Sequence, residues 1–312
     1  MSITIARAPA YLTIQDFGRT GYREIGVPRC GAMDRASLAA ANAVLGNTLD
    51  AAALEWALGG GSLRFDEACS FAIGGASADV AFRGEAVDPL TVVGAEAGDV
   101  LEVRGFKSGR FLYIAFDGGL EAETLLGSRS TYLPAHFGGV EGRLIRSGDN
   151  ISRGSHRHAR PGFSAPVELR LDLSRRKLRV IPGPQWNLFS SEDRSVFFRG
   201  AYTLSSASDR MGYRLAGQSL STSLGLLPSE PVCQGAIQVP PGGLPIVLMA
   251  DSPTVGGYPK IGVVATVDLP ALAQVNPGES FSFEETTVAD AQRRLRRSAA
   301  ALYTIQSLAR RP

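Results

Sequence analysis

The chain is 312 residues long, enough for about two domains or one large β unit, and enough for a core that needs no disulfide or metal staple. With 32 Lys+Arg against 30 Asp+Glu, its formal charge of +2 removes the electrostatic case for a nucleic-acid or anionic-membrane partner. Gly, at 36 residues, exceeds the roughly 7 % average while apolar and charged fractions are ordinary, the balance of a globular protein rich in tight turns.

The N-terminus alternates polar and apolar residues and reaches Asp16 without a continuous apolar stretch, so it reads as a first strand and not a signal peptide. A first helix is predicted to open at Asp34 as N-cap, to bury Leu38, Ala41 and Leu45, and to stop at Gly46 and Asn47. Between 61 and 119, short apolar runs at 62–65, 70–73, 80–83, 90–93, 100–103 and 111–116 recur about every ten residues, the pattern of an antiparallel sandwich or barrel. The segment 152–166, with Arg153, His156, Arg157, His158, Arg160 and Pro161, has no hydrophobic period and reads as a linker or mobile loop between an N-terminal half, 1–151, and a C-terminal half, 167–286. In the second half 168–181 alternates like a strand pair, 186–198 looks helical, and further strands run to about 283. The longest uncharged run lies between Glu230 and Asp251; Pro231, Pro240, Pro241 and Pro245 break it, so it is no spanning helix and no membrane association is expected. A last helix, 287–312, opens with a capping box of Thr287 and Asp290 and carries Ala291, Leu295, Ala299, Leu302, Ile305 and Leu308 on one face. Arg293, Arg294, Arg296 and Arg297 form its other face, read as solvated or as a dock for an acidic partner.

Several chemistries are absent. Cys30, Cys69 and Cys233 are far apart and odd in number, which fits neither a disulfide framework nor a CxxC pair and suits a reducing cytoplasm. None of the three lysines, Lys107, Lys177 and Lys260, follows a glycine, so a Walker A loop is impossible, and no GxGxxG follows a strand. No GxSxG elbow occurs, and His156 and His158 lack a third metal ligand nearby, so no metal site is expected. There is no Met-Lys-Met segment to accept biotin. Catalysis would rest on carboxylates, arginines, tyrosines, backbone amides and Lys260.

Four regions combine glycine with polar residues more densely than a core needs. They hold QDFGRTGY at 15–22 with GAMDR at 31–35, LGSRSTY at 126–132, SDRMGYRL at 208–215, and GAIQVPP at 235–241 followed by GGYPKI at 256–261. In this order they make the chain resemble, over nearly its whole length, the family called variously allophanate hydrolase subunit 2, the biotin-dependent carboxyltransferase C-terminal region, the Kip antagonist KipA and the 5-oxoprolinase C subunit. Pro253, Thr254 and Val255 stand where relatives often show a Thr-Thr pair, and Cys233-Gln234 where a proline is common. The resemblance implies a mainly β fold of cyclophilin-like β-barrel architecture, with two β-rich halves, a few short helices and the C-terminal helix. It also implies work beside A-type and B-type subunits, the latter KipI-like, with ATP used by the complex, the chain that binds it unspecified, and no biotin attached to this chain. Three functions compete: a component of an ATP-dependent 5-oxoprolinase opening 5-oxoproline to glutamate, a regulatory KipI antagonist, and a carboxyltransferase taking carboxybiotin from another chain.

Amides and ureas are poor nucleophiles and poor electrophiles, so a catalyst must stabilise the imidate-like form of a small amide or lactam and hold it in register. Asp251 follows the apolar run 245–250 and is expected at a strand end as acid/base, with Lys260 and Asp209 as further catalytic candidates. Asp209 and Arg210 read either as an internal ion pair or as a guanidinium presented to a substrate carboxylate. Gln238 offers an amide donor and acceptor, Tyr258 a phenol, and Lys260 a point charge for an oxyanion or phosphate. Tyr213, Thr254 and Arg19 complete the candidate substrate contacts. Asp251→Asn is expected to abolish turnover and leave stability nearly unchanged.

Overall fold

The computed structural model describes residues 2–154, 159–221 and 227–311, so His156 and His158 lie outside the described residues. The chain forms two compact units: unit 1 comprises Met1–Arg19, Cys30–Leu171 and Ser298–Pro312, and unit 2 comprises Thr20–Arg29 and Asp172–Arg297. Thus ten residues of the first glycine-rich region belong to the second unit. The described part of 152–166 is tied into unit 1, where Ala165 N–H bonds Leu90 O at 2.9 Å and Ser164 bridges to Thr91.

Unit 1 is built on β1 (Ser2–Arg7), β2 (Tyr11–Gln15), α1 (Arg35–Val44), β3 (Ala53–Ala57), β4 (Gly61–Phe65), β5 (Cys69–Phe82), β6 (Glu85–Ala86), β7 (Val93–Ala95), β8 (Val100–Phe116) and β9 (Asn150–Ser152). These strands form one nine-stranded sheet whose main path runs β2-β3-β8-β4-β1-β9, with β5 joining β8 and carrying β6 and β7. Alternation sets the faces: Ile3 and Ile5 of β1 and Leu63 and Phe65 of β4 enter an apolar core with Leu12, Trp56, Phe71 and Phe116. Helix α1 starts as predicted. Asp34 accepts Ser37 N–H at 2.9 Å, and Gly46 just past the helix takes φ 71°.

The six apolar runs, however, are not six strands. Those at 70–73 and 80–83 are the two ends of β5, and those at 100–103 and 111–116 the two ends of β8. The two strands pair from Phe71↔Phe116 to Phe82↔Leu101 through three register shifts between Gly75 and Val80. Gly and polar residues there read as turns in sequence; in the fold they bend one long hairpin.

Unit 2 contains β10 (Lys177–Pro182), α2 (Ser191–Arg199), β11 (Ala201–Leu204), β12 (Gly212–Ala216), β13 (Glu230–Pro231), β14 (Ala236–Gln238), β15 (Ile246–Leu248), β16 (Val255–Gly256), β17 (Lys260–Val264), α3 (Leu269–Ala273) and β18 (Ser280–Glu285). Seven of these strands close a barrel in the order β10-β17-β14-β15-β12-β11-β18, sealed by the parallel pair β10 and β18, while β13 and β16 make a separate ribbon. Closure removes sheet edges and brings residues distant in sequence to one rim. The expected strand pair in 168–181 is instead a 3-10 turn, Val167–Leu169, and the single strand β10. The helical segment 186–198 breaks at Phe189, because Ser190 caps α2 through Asp193 N–H at 3.0 Å.

Helix α4 (Val288–Ala309) begins as expected, with Asp290 N–H on Thr287 Oγ1 at 3.2 Å. Asp290 also pairs with Arg293 and Arg294, leaving the arginine face exposed. Among the described residues no helix is long and apolar enough to cross a membrane.

Candidate functional site

Eight of the nine candidate residues lie in unit 2, and Arg19 lies in unit 1. After β15 ends at Leu248, the chain turns so that Asp251 N–H bonds Arg210 O at 2.9 Å. The Arg210 guanidinium closes on the Asp251 carboxylate as a fork, Nε to Oδ2 at 2.8 Å and Nη2 to Oδ1 at 2.9 Å. Asp251 is 3 % exposed, so this is a buried, charge-assisted pair. Its low-dielectric setting ties Asp251 to the fold: an unpaired carboxylate there would be costly. Asp251→Asn is therefore expected to lower stability, in place of the thermal silence expected from sequence.

Asp209 is exposed, and its Oδ1 accepts Met211 N–H at 2.8 Å and Gly212 N–H at 3.1 Å, holding the turn into β12. Arg210's carboxylate partner is thus Asp251, forty-one residues away, rather than its neighbour. Tyr213 is fully buried and donates its hydroxyl to Ala273 O at 3.0 Å, as a core tyrosine does. Thr254 is buried and accepts Val232 N–H through its carbonyl at 3.1 Å, and Tyr258 is half-buried.

Lys260 opens β17 in register with Gln238, and Gln238 is in register with Ile246 at the start of β15. Asp251 lies three residues beyond the other end of β15. The two predicted catalytic groups are therefore anchored at opposite ends of the trio β15-β14-β17 and joined by the loop 251–260. Lys260 is only 4 % exposed, and its Nζ forms an ion pair with Glu230 Oε1. Gln185 locks both partners: its Nε2 donates to Glu230 Oε1 at 2.8 Å and its Oε1 accepts Lys260 N–H at 3.1 Å. The Lys260 ammonium holds the Glu230 carboxyl below the usual range. Gln238 packs over Gly256, where an added Cβ would fall 2.5 Å from Gln238 Nε2 and push that side chain aside.

Sequence reasoning missed Glu230, Gln185 and Arg23. Arg23, on the N-terminal segment that belongs to unit 2, donates Nη2 to Val232 O at 2.5 Å and Pro253 O at 3.2 Å, bracing the loop after Asp251. Ser252, buried in that loop, has no partner for its hydroxyl among the described residues. One signal for Glu230 was present: it and Asp251 are the two charges that bound the uncharged run.

In unit 1 the motifs at 15–19 and 126–132 meet around Asp16. Its carboxylate accepts Gly18 N–H at 2.7 Å, Ser128 Oγ–H at 2.6 Å, Arg129 N–H at 2.6 Å and the Ser130 hydroxyl. Arg19, 1 % exposed, donates Nη2 to Ser130 O at 2.5 Å and lies over the Phe137 ring at 4.6 Å. These contacts hold Asp16 and Arg19 in the interior of unit 1. Among the described residues no group of three or more His, Cys, Asp and Glu side chains could hold a metal ion.

Comparison with known proteins identifies the family of the chain. The model of the family "Carboxyltransferase domain, subdomain A and B" matches residues 25–285. The chain is 37 % identical over 298 residues to the 5-oxoprolinase C subunit of Haemophilus influenzae, covering 95 % of each chain. To the C subunit of the Escherichia coli 5-oxoprolinase it is 37 % identical over 291 residues, 93 % of each. The structure of the K. lactis urea amidolyase superposes with a TM-score of 0.90 at 28 % identity, over 97 % of this chain and 20 % of that one. The chain belongs to the carboxyltransferase domain family and is closely related to its 5-oxoprolinase C-subunit type.

Proposed function

We propose that this chain is the C-type subunit of an ATP-dependent 5-oxoprolinase, working beside an A-type chain and a KipI-like B-type chain to open 5-oxoproline to L-glutamate. The observation that carries the reading is the end-to-end identity to two C subunits of matching length. Substrate would lie along the loop 251–260. There Lys260 directs its ammonium to the substrate carbonyl oxygen as negative charge builds on it, and Asp251, held by Arg210 at the other end of the loop, is the proposed acid/base. Asp209 positions the turn that presents Arg210. Gln238, Thr254 and Tyr258 line the loop, whereas the fully buried Tyr213 and Arg19 belong to the cores of their own units.

ATP does not fit this group of residues. Asp251 balances Arg210 and Glu230 balances Lys260, so little positive charge remains for a triphosphate. No step here runs through the nucleotide.

A second reading, carboxyl transfer to an amide or urea from biotin carried elsewhere, is favoured by the superposition on urea amidolyase. A regulatory antagonist of a KipI-like protein would use the same binary complex without turnover. Reconstituting this chain with its A-type and B-type counterparts and omitting each in turn separates the three. Glutamate formed from 5-oxoproline only when all are present supports the proposal. An assembled complex that makes none overturns it, and carboxybiotin-dependent carboxylation of urea would then identify the second reading.

A further inference from the structure

We infer that Glu230, Lys260 and Gln238 form a recognition subsite for the –CO–NH– unit of a lactam or cyclic urea, with Gln185 as its positioning residue. The inference deepens the proposed reading by naming the substrate group bound, but it is tested by binding and not by turnover.

Four relations close the cluster. Lys260 Nζ pairs with Glu230, Lys260 is opposite Gln238 on adjacent strands, and Gln238 sits over Gly256, which is itself opposite Glu230 in the β13-β16 ribbon. Side chains of directly opposed residues share a face, so Lys260 and Gln238 project together.

The hydrogen-bonding capacity left over is specific. Lys260 has three N–H donors and gives one to Glu230 Oε1. Glu230 Oε1 already takes Lys260 and Gln185, while its Oε2 takes nothing among the described residues and the side chain is 38 % exposed. Gln238 is only 6 % exposed, yet its carboxamide has no partner among the described residues. That leaves the Gln238 amide with its donor and acceptor capacity for a ligand. The spare set is thus a carboxylate acceptor beside ammonium and amide donors.

A ring amide is held cis, so its N–H and C=O lie on one edge and meet this set together: the N–H donates to Glu230 Oε2, and the carbonyl accepts from Lys260 and Gln238 Nε2. A free carboxylate has no N–H and would face Glu230 with like charge. The subsite therefore selects a neutral amide over an acid. Gln185 touches no ligand; it fixes the Glu230 carboxylate so that Oε2 is the oxygen left free.

The test uses the full chain and 2-pyrrolidinone, with N-methyl-2-pyrrolidinone as the analogue lacking the N–H. Binding is followed by ligand-observed NMR titration. Wild type should bind the lactam about tenfold or more tightly than the N-methyl analogue, as expected for a hydrogen bond to a charged group. Glu230→Gln should erase that preference by weakening only the lactam, and Gln185→Ala should reduce it. No lactam binding by wild type, or equal losses for both probes in Glu230→Gln, overturns the proposal.

The chain has three lysines, which gives a second readout. In wild type, saturating 2-pyrrolidinone should slow acetylation of Lys260 by acetic anhydride and leave Lys107 and Lys177 unchanged; unaltered Lys260 acetylation refutes the site. Lactam binding with no glutamate from the reconstituted complex would remove the oxoprolinase reading and leave the subsite standing.

Discussion

The Arg210–Asp251 fork makes a quantitative claim about unit 2. Both groups are buried and meet through two bonds of 2.8 and 2.9 Å, so removing either strands the other charge in a low-dielectric site. Arg210→Met should cost ~3–5 kcal/mol, the range for breaking a buried pair. Asp251→Asn keeps one oxygen for the fork but turns an amide N–H toward the guanidinium, so its cost should be about 2 kcal/mol or more. Equilibrium urea unfolding followed by circular dichroism gives these losses, and hydrogen exchange of peptides from β12 and β15 locates them. A cycle with Arg210→Met/Asp251→Asn should return a coupling of about 1–3 kcal/mol, since residues in one ion pair are strongly non-additive. Coupling indistinguishable from zero would refute the pairing. The same numbers govern activity assays: loss of turnover in Asp251→Asn counts as chemistry only when measured well below that variant's lowered melting temperature.

Further expectations concern both units. Asp34→Ala should lose about 2 kcal/mol in thermal or urea unfolding, the upper end for an N-cap, because Asp34 is fully buried and also accepts Ser37 Oγ–H at 2.5 Å. Gly31→Ala should destabilise by about 2 kcal/mol or more: its φ is +87°, and an added Cβ would fall 2.7 Å from Gly18 N and 2.9 Å from Asp16 O, backbone that cannot swing away. The Arg143 guanidinium holds the Asp149 carboxyl below its ordinary value, and Arg146 N–H adds to this. A carboxyl lowered in the folded state stabilises above its unfolded pKa and loses that contribution as pH falls through the folded one. The stability gap between wild type and Asp149→Asn should thus be full at about pH 6 and shrink steadily below about pH 4; a pH-independent gap counts against the pair. Burial pushes the Cys69 thiol up to about 12 and raises Cys233 as well, while Cys30 is buried. Native protein should therefore react slowly with a thiol reagent such as Ellman's, at no more than one site, exposed Cys233.

What the sequence made legible was local. Helices α1 and α4 could be read because Asp34, and Thr287 with Asp290, announce their starts within one turn of the residues they cap. Strand number could not be read in 61–119, because Gly and polar residues that end strands elsewhere here lie inside β5 and β8, tolerated by register shifts that bend one hairpin. The same limit explains the site. Asp209 and Arg210 looked like partners because they are adjacent, but the Asp209 carboxylate is taken by Met211 and Gly212 N–H in the turn, and Arg210 finds Asp251 only through the antiparallel register of β12 and β15. Gln185 and Glu230 reach Lys260 across separations of 75 and 30 residues, and no local pattern encodes that.

The uncharged run nevertheless carried more than the exclusion of a membrane span. Its residues supply β14, β15 and their connection, apolar enough to form barrel wall; of the two acids that bound it, Asp251 falls just past β15 and Glu230 falls in the β13-β16 ribbon. Each acid is then neutralised by one cation, Asp251 by Arg210 and Glu230 by Lys260. A site assembled from two balanced pairs has no net charge to attract an anion from a distance, yet it retains strong local donors and acceptors. That combination suits a ligand that is neutral and polar along one edge, as an amide is.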